Sequence, residues 1–199
     1  MDSHPSSRHH EQQERRSTLI VLQWTLLACI TIGLGCDTVT EEPMDNHHGL
    51  EVRPEHRCSP YDSDDYSYSQ SVEPKIVDQQ GGIFSPYSLR TFESTGETDI
   101  EHIVARSEAH DSGMCEKDAA AKRTFSGDLL NLTLASPSLN RYEKVAKDPG
   151  EWLPEHNRCW YADTVVRVKR KYNLSVDSRE SRALNDLLSS CTDFTMQKP

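Results

Sequence analysis

The sequence lacks several patterns that mark common classes of membrane and metal-binding proteins. Its mean hydropathy of -0.73 excludes a protein that crosses a membrane many times. Its six cysteines form no Cys-x-x-Cys pair, which argues against a zinc ribbon. The His-Glu-x-x-His motif of many zinc hydrolases is also absent. What remains is one domain of ordinary size with a tail, which 199 residues can accommodate.

An overall positive charge, which many nucleic-acid-binding proteins carry, is also missing. The net charge is -10, but the acidity lies entirely in the first half of the chain. Residues 1–100 contain 7 Lys and Arg against 17 Asp and Glu, whereas residues 101–199 contain 15 of each class. A neutral second half with a basic run at residues 167–171 can still bind a phosphate backbone, although less tightly than a strongly basic domain.

The one long apolar segment predicts export. It follows Arg15 and Arg16 and contains small residues before Cys29 and Cys36, as in a bacterial lipoprotein signal whose cysteine is lipidated. LLAC, which ends at Cys29, is the better match, but the chain turns polar only after Cys36, so both remain candidates. A single transmembrane anchor is the alternative, and a length of about 18 residues with Gln23 inside it weakens that interpretation.

The remaining chain divides into a tether and a folded domain. Residues 1–36 are predicted to be the signal, residues 37–57 a disordered acidic tether, and residues 58–199 the domain. The domain contains an even number of cysteines, which suits two disulfides in an oxidising, extracytoplasmic compartment. They are Cys58, Cys115, Cys159 and Cys191.

Two helices are predicted near the C-terminus. Apolar residues at helical spacing mark the first, and Asp177 with Glu180 three residues later is typical of the start of the second. Each has about 13 residues, or about 20 Å, so an antiparallel pair would bring Cys159 beside Cys191. We therefore predict a Cys159–Cys191 disulfide and, by elimination, a Cys58–Cys115 disulfide.

A strand, a second strand and a helix are predicted in that order before this pair. Residues 99–104 and 129–135 have the composition of strands, and Ser136 with Pro137 is typical of a helix start. His102 next to Glu101 on the first strand is weak by itself, because adjacent strand residues face opposite sides. An asparagine about one turn into the following helix, Asn140, strengthens the evidence for a functional site at Glu101 and His102.

This ordered set of motifs resembles the HNH, or ββα-metal, endonucleases, in particular a secreted bacterial branch. The similarity covers residues 58–191 and rests on TDIEHIV at 98–104, SEAHDSG at 107–113, NL at 131–132, NR at 140–141 and KDPGEWLP at 147–154. It implies an α+β fold in which a ββα-metal core is followed by the C-terminal antiparallel helix pair.

The resemblance also implies a role for each matched residue. Glu101 would be the first metal ligand, a position that is often Asp in related enzymes, and His102 the general base. Asn131 would orient that histidine, and Asn140 would be the final ligand. Without the ordered set of motifs, a turn or cap role would be the plainer interpretation of both asparagines. Because Glu is one methylene longer than Asp, the metal geometry at Glu101 is the main departure from the family pattern.

Single-metal hydrolysis of DNA, with RNA as a second substrate, is the resulting expectation. Oxygen ligands favour Mg²⁺ or Mn²⁺, and an imidazole with a near-neutral pKa suits a base that activates water. No sequence-recognition module and no protein partner are evident, and membrane contact is expected only through the lipid anchor. Basic residues that could contact phosphate, or simply form a solvated helix face, are Arg141, Lys144, Lys147 and Arg170.

A non-catalytic envelope protein on a degenerate HNH scaffold is the alternative from a different functional class. The intact set of Glu101, His102 and Asn140 argues against it. The alternation of side chains between the two faces of a strand sets a condition on the enzyme hypothesis. Glu101 and His102 can serve one site only if the strand ends or is distorted there, and a regular strand through both would count first against Glu101.

Overall fold

The computed structural model describes residues 48–199, which form an α+β domain with a two-stranded antiparallel sheet. The predicted signal, both lipidation candidates and most of the predicted tether lie outside the described residues. Within residues 48–199, no helix is both long and apolar enough to cross a bilayer. The main elements are α1 (Glu73–Gln80), β1 (Asp99–His102), α2 (Arg106–Asp111), α3 (Ala119–Ser126), β2 (Leu132–Ala135), a short wide helix (Leu139–Lys144), α4 (Arg158–Tyr172) and α5 (Ser178–Ser189).

The two strands are shorter than the sequence predicts. Their register runs from Asp99 opposite Ala135 to His102 opposite Leu132. β1 ends at His102, and residues Leu129–Asn131 form a 3-10 turn before β2 because the Asp128 carboxylate accepts a hydrogen bond from the amide of Leu130. The predicted order of strand, strand and helix is nevertheless present, since the Leu139–Lys144 helix follows β2 directly.

Gln80, at the end of α1, satisfies polar groups of β2. Its Oε1 accepts hydrogen bonds from the Thr133 hydroxyl (2.6 Å) and the Leu134 amide (3.1 Å), and its Nε2 donates to the carbonyl of Phe84. Gln80 is only 2 % exposed. The end of α1 therefore supplies hydrogen bonds to β2 where a third strand would otherwise do so. This satisfies polar groups on the buried edge of a two-stranded sheet.

The C-terminal helix pair and both disulfides confirm the sequence predictions. Asp177 caps α5 by accepting a hydrogen bond from the amide of Glu180 at 2.7 Å. Cys159 at the start of α4 is bonded to Cys191 after the end of α5, so the two helices run antiparallel. The second disulfide joins Cys58 to Cys115. In both, the Cα atoms are 5.8 Å apart.

The folded part begins before the predicted boundary at Cys58. Leu50 is 5 % exposed and belongs to the hydrophobic core. Val52 forms a parallel bridge with Val176, and the amide of Arg53 donates to the Val176 carbonyl at 2.9 Å. The segment was predicted to be a tether because its composition is acidic. Burial of its few apolar residues instead holds the segment against the domain.

Candidate active site

A cleft of about 270 Å³ lies at the end of β1. The strand, the start of α2 and the Leu139–Lys144 helix bring polar side chains to its wall, among them Glu101, His102, Arg106, Asn140 and Arg141. Pairing in β1 is regular through both Glu101 and His102, and the strand ends at His102. Both residues nevertheless line one cleft, because the cleft sits where the strand ends. The regular pairing through both residues counts against Glu101 first, as the alternation of strand side chains requires.

The imidazole of His102 is held by the C-terminal end of α3. Its Nε2 lies 2.9 Å from the carbonyl oxygen of Ser126, the last residue of that helix. A carbonyl can only accept, so Nε2 carries the proton and Nδ1 carries the lone pair. Tyr68 packs edge-on against the ring at 5.1 Å between centroids. The ring is thus fixed in one tautomer and one orientation.

Burial keeps His102 neutral. The side chain is almost fully enclosed, and this desolvation, followed by the positive charge of Arg106, lowers its pKa to about 3. This pKa is lower than the near-neutral value expected from the sequence, since the burial of a side chain depends on residues distant along the chain. The imidazole is therefore unprotonated, as a base must be, throughout the neutral pH range.

Glu101 is buried beside an equally buried lysine. Its Oε1 lies 2.8 Å from Nζ of Lys144, which also donates to the carbonyl of His102 at 3.0 Å. Burial raises the pKa of Glu101, and the ammonium of Lys144 opposes that shift. Lys144 was a predicted phosphate contact. Its side chain is instead 0 % exposed, because it neutralises a carboxylate that would otherwise be buried alone.

Asn140 is oriented by an acidic residue that the sequence analysis did not single out. Its Nδ2 donates to Oδ2 of Asp99 at 3.0 Å, so its amide oxygen remains available as a ligand atom. Arg141 holds the same carboxylate through two hydrogen bonds of 2.8 and 2.6 Å. Asp99 shares a strand face with Glu101 two positions later, and that alternation was the signal that could have identified it.

Asn131 acts on the backbone beside His102 rather than on the ring. Its Oδ1 accepts a hydrogen bond from the amide of Val104 (2.8 Å), and its Nδ2 donates to the carbonyl of the same residue (3.1 Å). The family resemblance implied that the side chain of Asn131 orients the base histidine. In the structure the Ser126 carbonyl has that position, and Asn131 fixes the chain just after β1.

The oxygen atoms on the cleft wall suit a hard divalent cation. Apart from the ion pair with Lys144, Oε1 of Glu101 has no hydrogen-bond donor among residues 48–199. One carboxylate together with the amide oxygen of Asn140 is a donor set of the kind that Mg²⁺ or Mn²⁺ prefers, and it leaves positions for water and phosphate. Glu101 and Asn140 therefore fit such an ion.

The basic residues differ in how freely they can reach a substrate. Arg106 lines the cleft, where its guanidinium lies 5.9 Å from the Tyr68 ring centroid and makes one long contact of 3.4 Å to the Tyr66 carbonyl. Arg141 is engaged with Asp99, although its side chain is 59 % exposed. Lys147 is exposed and donates to the Glu143 carbonyl. Sequence reasoning missed Arg106, since nothing in its local sequence indicated that it faces the cleft.

Arg170 lies outside the cleft. Its guanidinium is close to Gly49, at which an added Cβ would come within 3.2 Å of Nη2. It lines a separate surface depression with residues of the 49–51 segment and the end of α4. A contact between Arg170 and a phosphate held at His102 is therefore not supported by its position.

Comparison with known proteins identifies a family and one relative. The model of the C-terminal domain of GmrSD restriction endonucleases matches residues 60–187. A protein described as an uncharacterized secreted protein from Arthroderma benhamiae (strain ATCC MYA-4681 / CBS 112371) is 32 % identical over 123 residues. That match covers 60 % of this chain and 60 % of the relative. No solved structure matches the chain significantly. A secreted relative and two disulfides are consistent with an extracytoplasmic location.

The low pKa of His102 predicts how folding stability depends on pH. The unfolded chain binds a proton at this residue below about pH 6.5, whereas the folded chain stays neutral down to about pH 3, so stability is lost as the pH falls through this range. We expect the free energy of unfolding of wild type, relative to His102→Gln, to fall on the order of 1 kcal/mol per pH unit. Denaturant melts in EDTA between about pH 7 and pH 5 measure this difference. A difference that does not change with pH would mean that His102 titrates normally.

Proposed function

Because the chain belongs to the family of GmrSD restriction endonuclease C-terminal domains, we propose that it is a metal-dependent endonuclease of the HNH type. Its substrate is the phosphodiester backbone of DNA, with RNA as a second substrate, and it has little sequence specificity. The observation that carries the proposal is the shared cleft of His102, Glu101 and Asn140, with the lone pair of a neutral imidazole at Nδ1. As the match covers 60 % of the relative's length, the activity of the whole protein is part of this proposal.

His102 would activate the attacking water. Nδ1 takes the proton, and the resulting imidazolium keeps its Nε2–H hydrogen bond to the Ser126 carbonyl, which is stronger when the donor is charged. Arg106 opposes protonation in the free protein. A substrate phosphate beside Arg106 would offset that charge, so His102 would be a stronger base when substrate is present than when it is absent.

Glu101 and Asn140 would hold Mg²⁺ or Mn²⁺. When bound, such an ion supplies Lewis-acid stabilisation of charge on the phosphate and the leaving oxygen. Asp99 would keep the Asn140 amide turned with its oxygen free. Lys144 would keep Glu101 ionised despite its burial, so that the carboxylate is ready to bind a cation. These side chains and the two strands would make a ββα-metal core with the Leu139–Lys144 helix.

Backbone contacts would dominate substrate binding, and this explains the proposed low specificity. Arg106 would contact the reacting phosphate, with Arg141 and Lys147 as exposed contacts beyond it. We also propose that the protein is exported and held at a membrane through a lipid on Cys29 or Cys36. Mass spectrometry of the mature N-terminus distinguishes these two cysteines from an unprocessed apolar anchor.

Cleavage of DNA is the direct test of the proposed activity. Folded protein should nick supercoiled plasmid in Mg²⁺ and should lose this activity in EDTA. His102→Ala should lower the rate by about 10²–10⁴-fold, the usual contribution of a general base. His156→Ala is the matched control and should cleave like wild type, because that side chain is 40 % exposed and does not line the cleft.

Either of two results would contradict the mechanism: cleavage that persists in EDTA, or cleavage that survives His102→Ala. A folded wild type that cleaves neither DNA nor RNA would instead favour the non-catalytic binding protein. Circular dichroism before each assay separates that outcome from misfolding, because helices α1–α5 give a strong helical signal.

A further prediction distinguishes the role of Arg106 from that of Arg170, the basic residue outside the cleft. Arg106→Ala should lower kcat/KM by about 10²-fold, because a cation beside the reacting phosphate is lost. Arg170→Ala, which removes the same side chain from the other surface, should leave kcat/KM close to that of wild type. Steady-state cleavage of a short fluorescent DNA measures both. Equal losses in the two variants would show that Arg106 contributes only general positive charge.

A further inference from the structure

Two exposed apolar side chains lie on the short wide helix Leu139–Lys144 or directly after it. Among residues 48–199, three large hydrophobic side chains are exposed, and Tyr142 and Val145 are two of them. Tyr142 is 79 % exposed and Val145 is 50 % exposed. Val145 also lines the His102 cleft. Apolar side chains that stay in water beside a functional cleft indicate a surface that contacts a partner.

The backbone of Val145 has a conformation that valine rarely adopts. Its φ is 53° and its ψ is -114°, and a positive φ is unfavourable for a β-branched residue because Cβ then crowds the backbone. Glycine would adopt this conformation with less strain. Strain of this kind persists only where the surrounding structure enforces it, and it is concentrated at functional sites. Because half of the Val145 side chain is in water, packing inside the domain does not explain why valine is present.

Contacts on both sides of the strained peptide hold Val145 at the cleft. Its amide donates a hydrogen bond to the carbonyl of Asn140 at 3.1 Å. The preceding residue, Lys144, is fully buried and binds both the Glu101 carboxylate and the His102 carbonyl. Val145 is therefore attached through its immediate neighbour to the end of β1, and its side chain has a fixed position beside the cleft.

The charges around these two side chains suit a nucleic acid. Arg141 precedes Tyr142 and has a largely exposed side chain, Lys147 is also exposed, and Arg106 lines the cleft. Glu143 is the one exposed acidic residue between Arg141 and Lys147. Apolar side chains flanked by cations match a chain in which bases with apolar faces alternate with phosphates.

We propose that Tyr142 and Val145 form an apolar wedge that enters the base stack of duplex DNA beside the cleaved phosphate and separates two adjacent base pairs. This inference rests on the proposed nuclease function and adds the form in which the substrate is bound, a locally opened duplex. The wedge reads no sequence, since every base has an apolar face, and this agrees with low specificity. Opening the stack bends the duplex and brings more of its backbone to the protein.

Cleavage of two matched duplexes tests the wedge in the full chain. One duplex is fully paired, and the other contains a central mismatched bubble, in which the bases are already unstacked. Tyr142→Ala should lower kcat/KM about tenfold on the paired duplex but less than about twofold within the bubble. Phe194→Ala is the matched control. It removes the third exposed hydrophobic side chain, which does not line the cleft, and should cleave both duplexes like wild type.

Val145→Gly distinguishes a wedge from a residue that serves only folding. Because glycine accepts a positive φ, this variant should raise the Tm by about 2 °C. It should nevertheless lower kcat/KM on the paired duplex about tenfold, because the apolar side chain is lost. A residue needed only for folding would change stability and cleavage in the same direction.

Fluorescence of 2-aminopurine, a base whose emission rises when it is unstacked, tests the wedge without cleavage. In EDTA, wild type bound to a short duplex with 2-aminopurine at its centre should raise the emission at least about twofold, because the base is unstacked. Tyr142→Ala should give a smaller rise. A chain that opens DNA but never cleaves it would contradict the proposed nuclease function and leave the wedge supported.

Four results would overturn the wedge. Tyr142→Ala cleaves the paired duplex like wild type or slows cleavage of both duplexes equally. Wild type binds the duplex without raising the emission. Val145→Gly lowers the Tm together with cleavage. Wild type is a dimer in sedimentation whereas Tyr142→Ala is a monomer, since the apolar surface would then bind a second copy of the chain.

Discussion

The hydrogen bond from Nε2 of His102 to the carbonyl of Ser126 is the interaction on which the proposed chemistry depends. A free carbonyl at the end of a helix is a strong acceptor, and here α3 directs one at an imidazole that has been removed from water. The bond determines which nitrogen carries the proton and therefore which nitrogen can act as a base. Burial then keeps the ring neutral, because desolvation and the positive charges of Arg106 and Lys144 lower the pKa of the imidazole.

The position of the cleft at the end of β1 explains how two adjacent strand residues can both line it. Alternate strand residues face opposite sides, so adjacent residues such as Glu101 and His102 can share a cleft only at a strand terminus. The two hydrogen bonds between Asn131 and the backbone of Val104 hold the chain immediately after that terminus. Lys144 reaches the same point from the following helix and binds both the Glu101 carboxylate and the His102 carbonyl. The site is therefore supported by buried polar contacts, which are costly to leave unsatisfied.

Local sequence patterns predicted the parts of the fold that depend on local chemistry. The caps and helical spacing of the C-terminal pair led to the Cys159–Cys191 disulfide, and the strand, strand and helix order was also confirmed. The missed features involve residues distant in sequence. The pairing of Lys144 with Glu101, the link from Asp99 to Asn140, and the position of Arg106 depend on tertiary packing, which spacing along the chain does not reveal. Leu50 was missed because two apolar residues give no periodic signal in an acidic segment.

Chemical rescue of a variant that lacks the imidazole most directly tests whether His102 is the base. His102→Gly should be nearly inactive on plasmid DNA in Mg²⁺, and free imidazole should restore cleavage in proportion to its concentration. The rescued rate should rise with pH through about pH 7, following the deprotonation of free imidazole in water rather than of the buried side chain. If His102→Gly cleaves at the wild-type rate without imidazole, His102 is not the base.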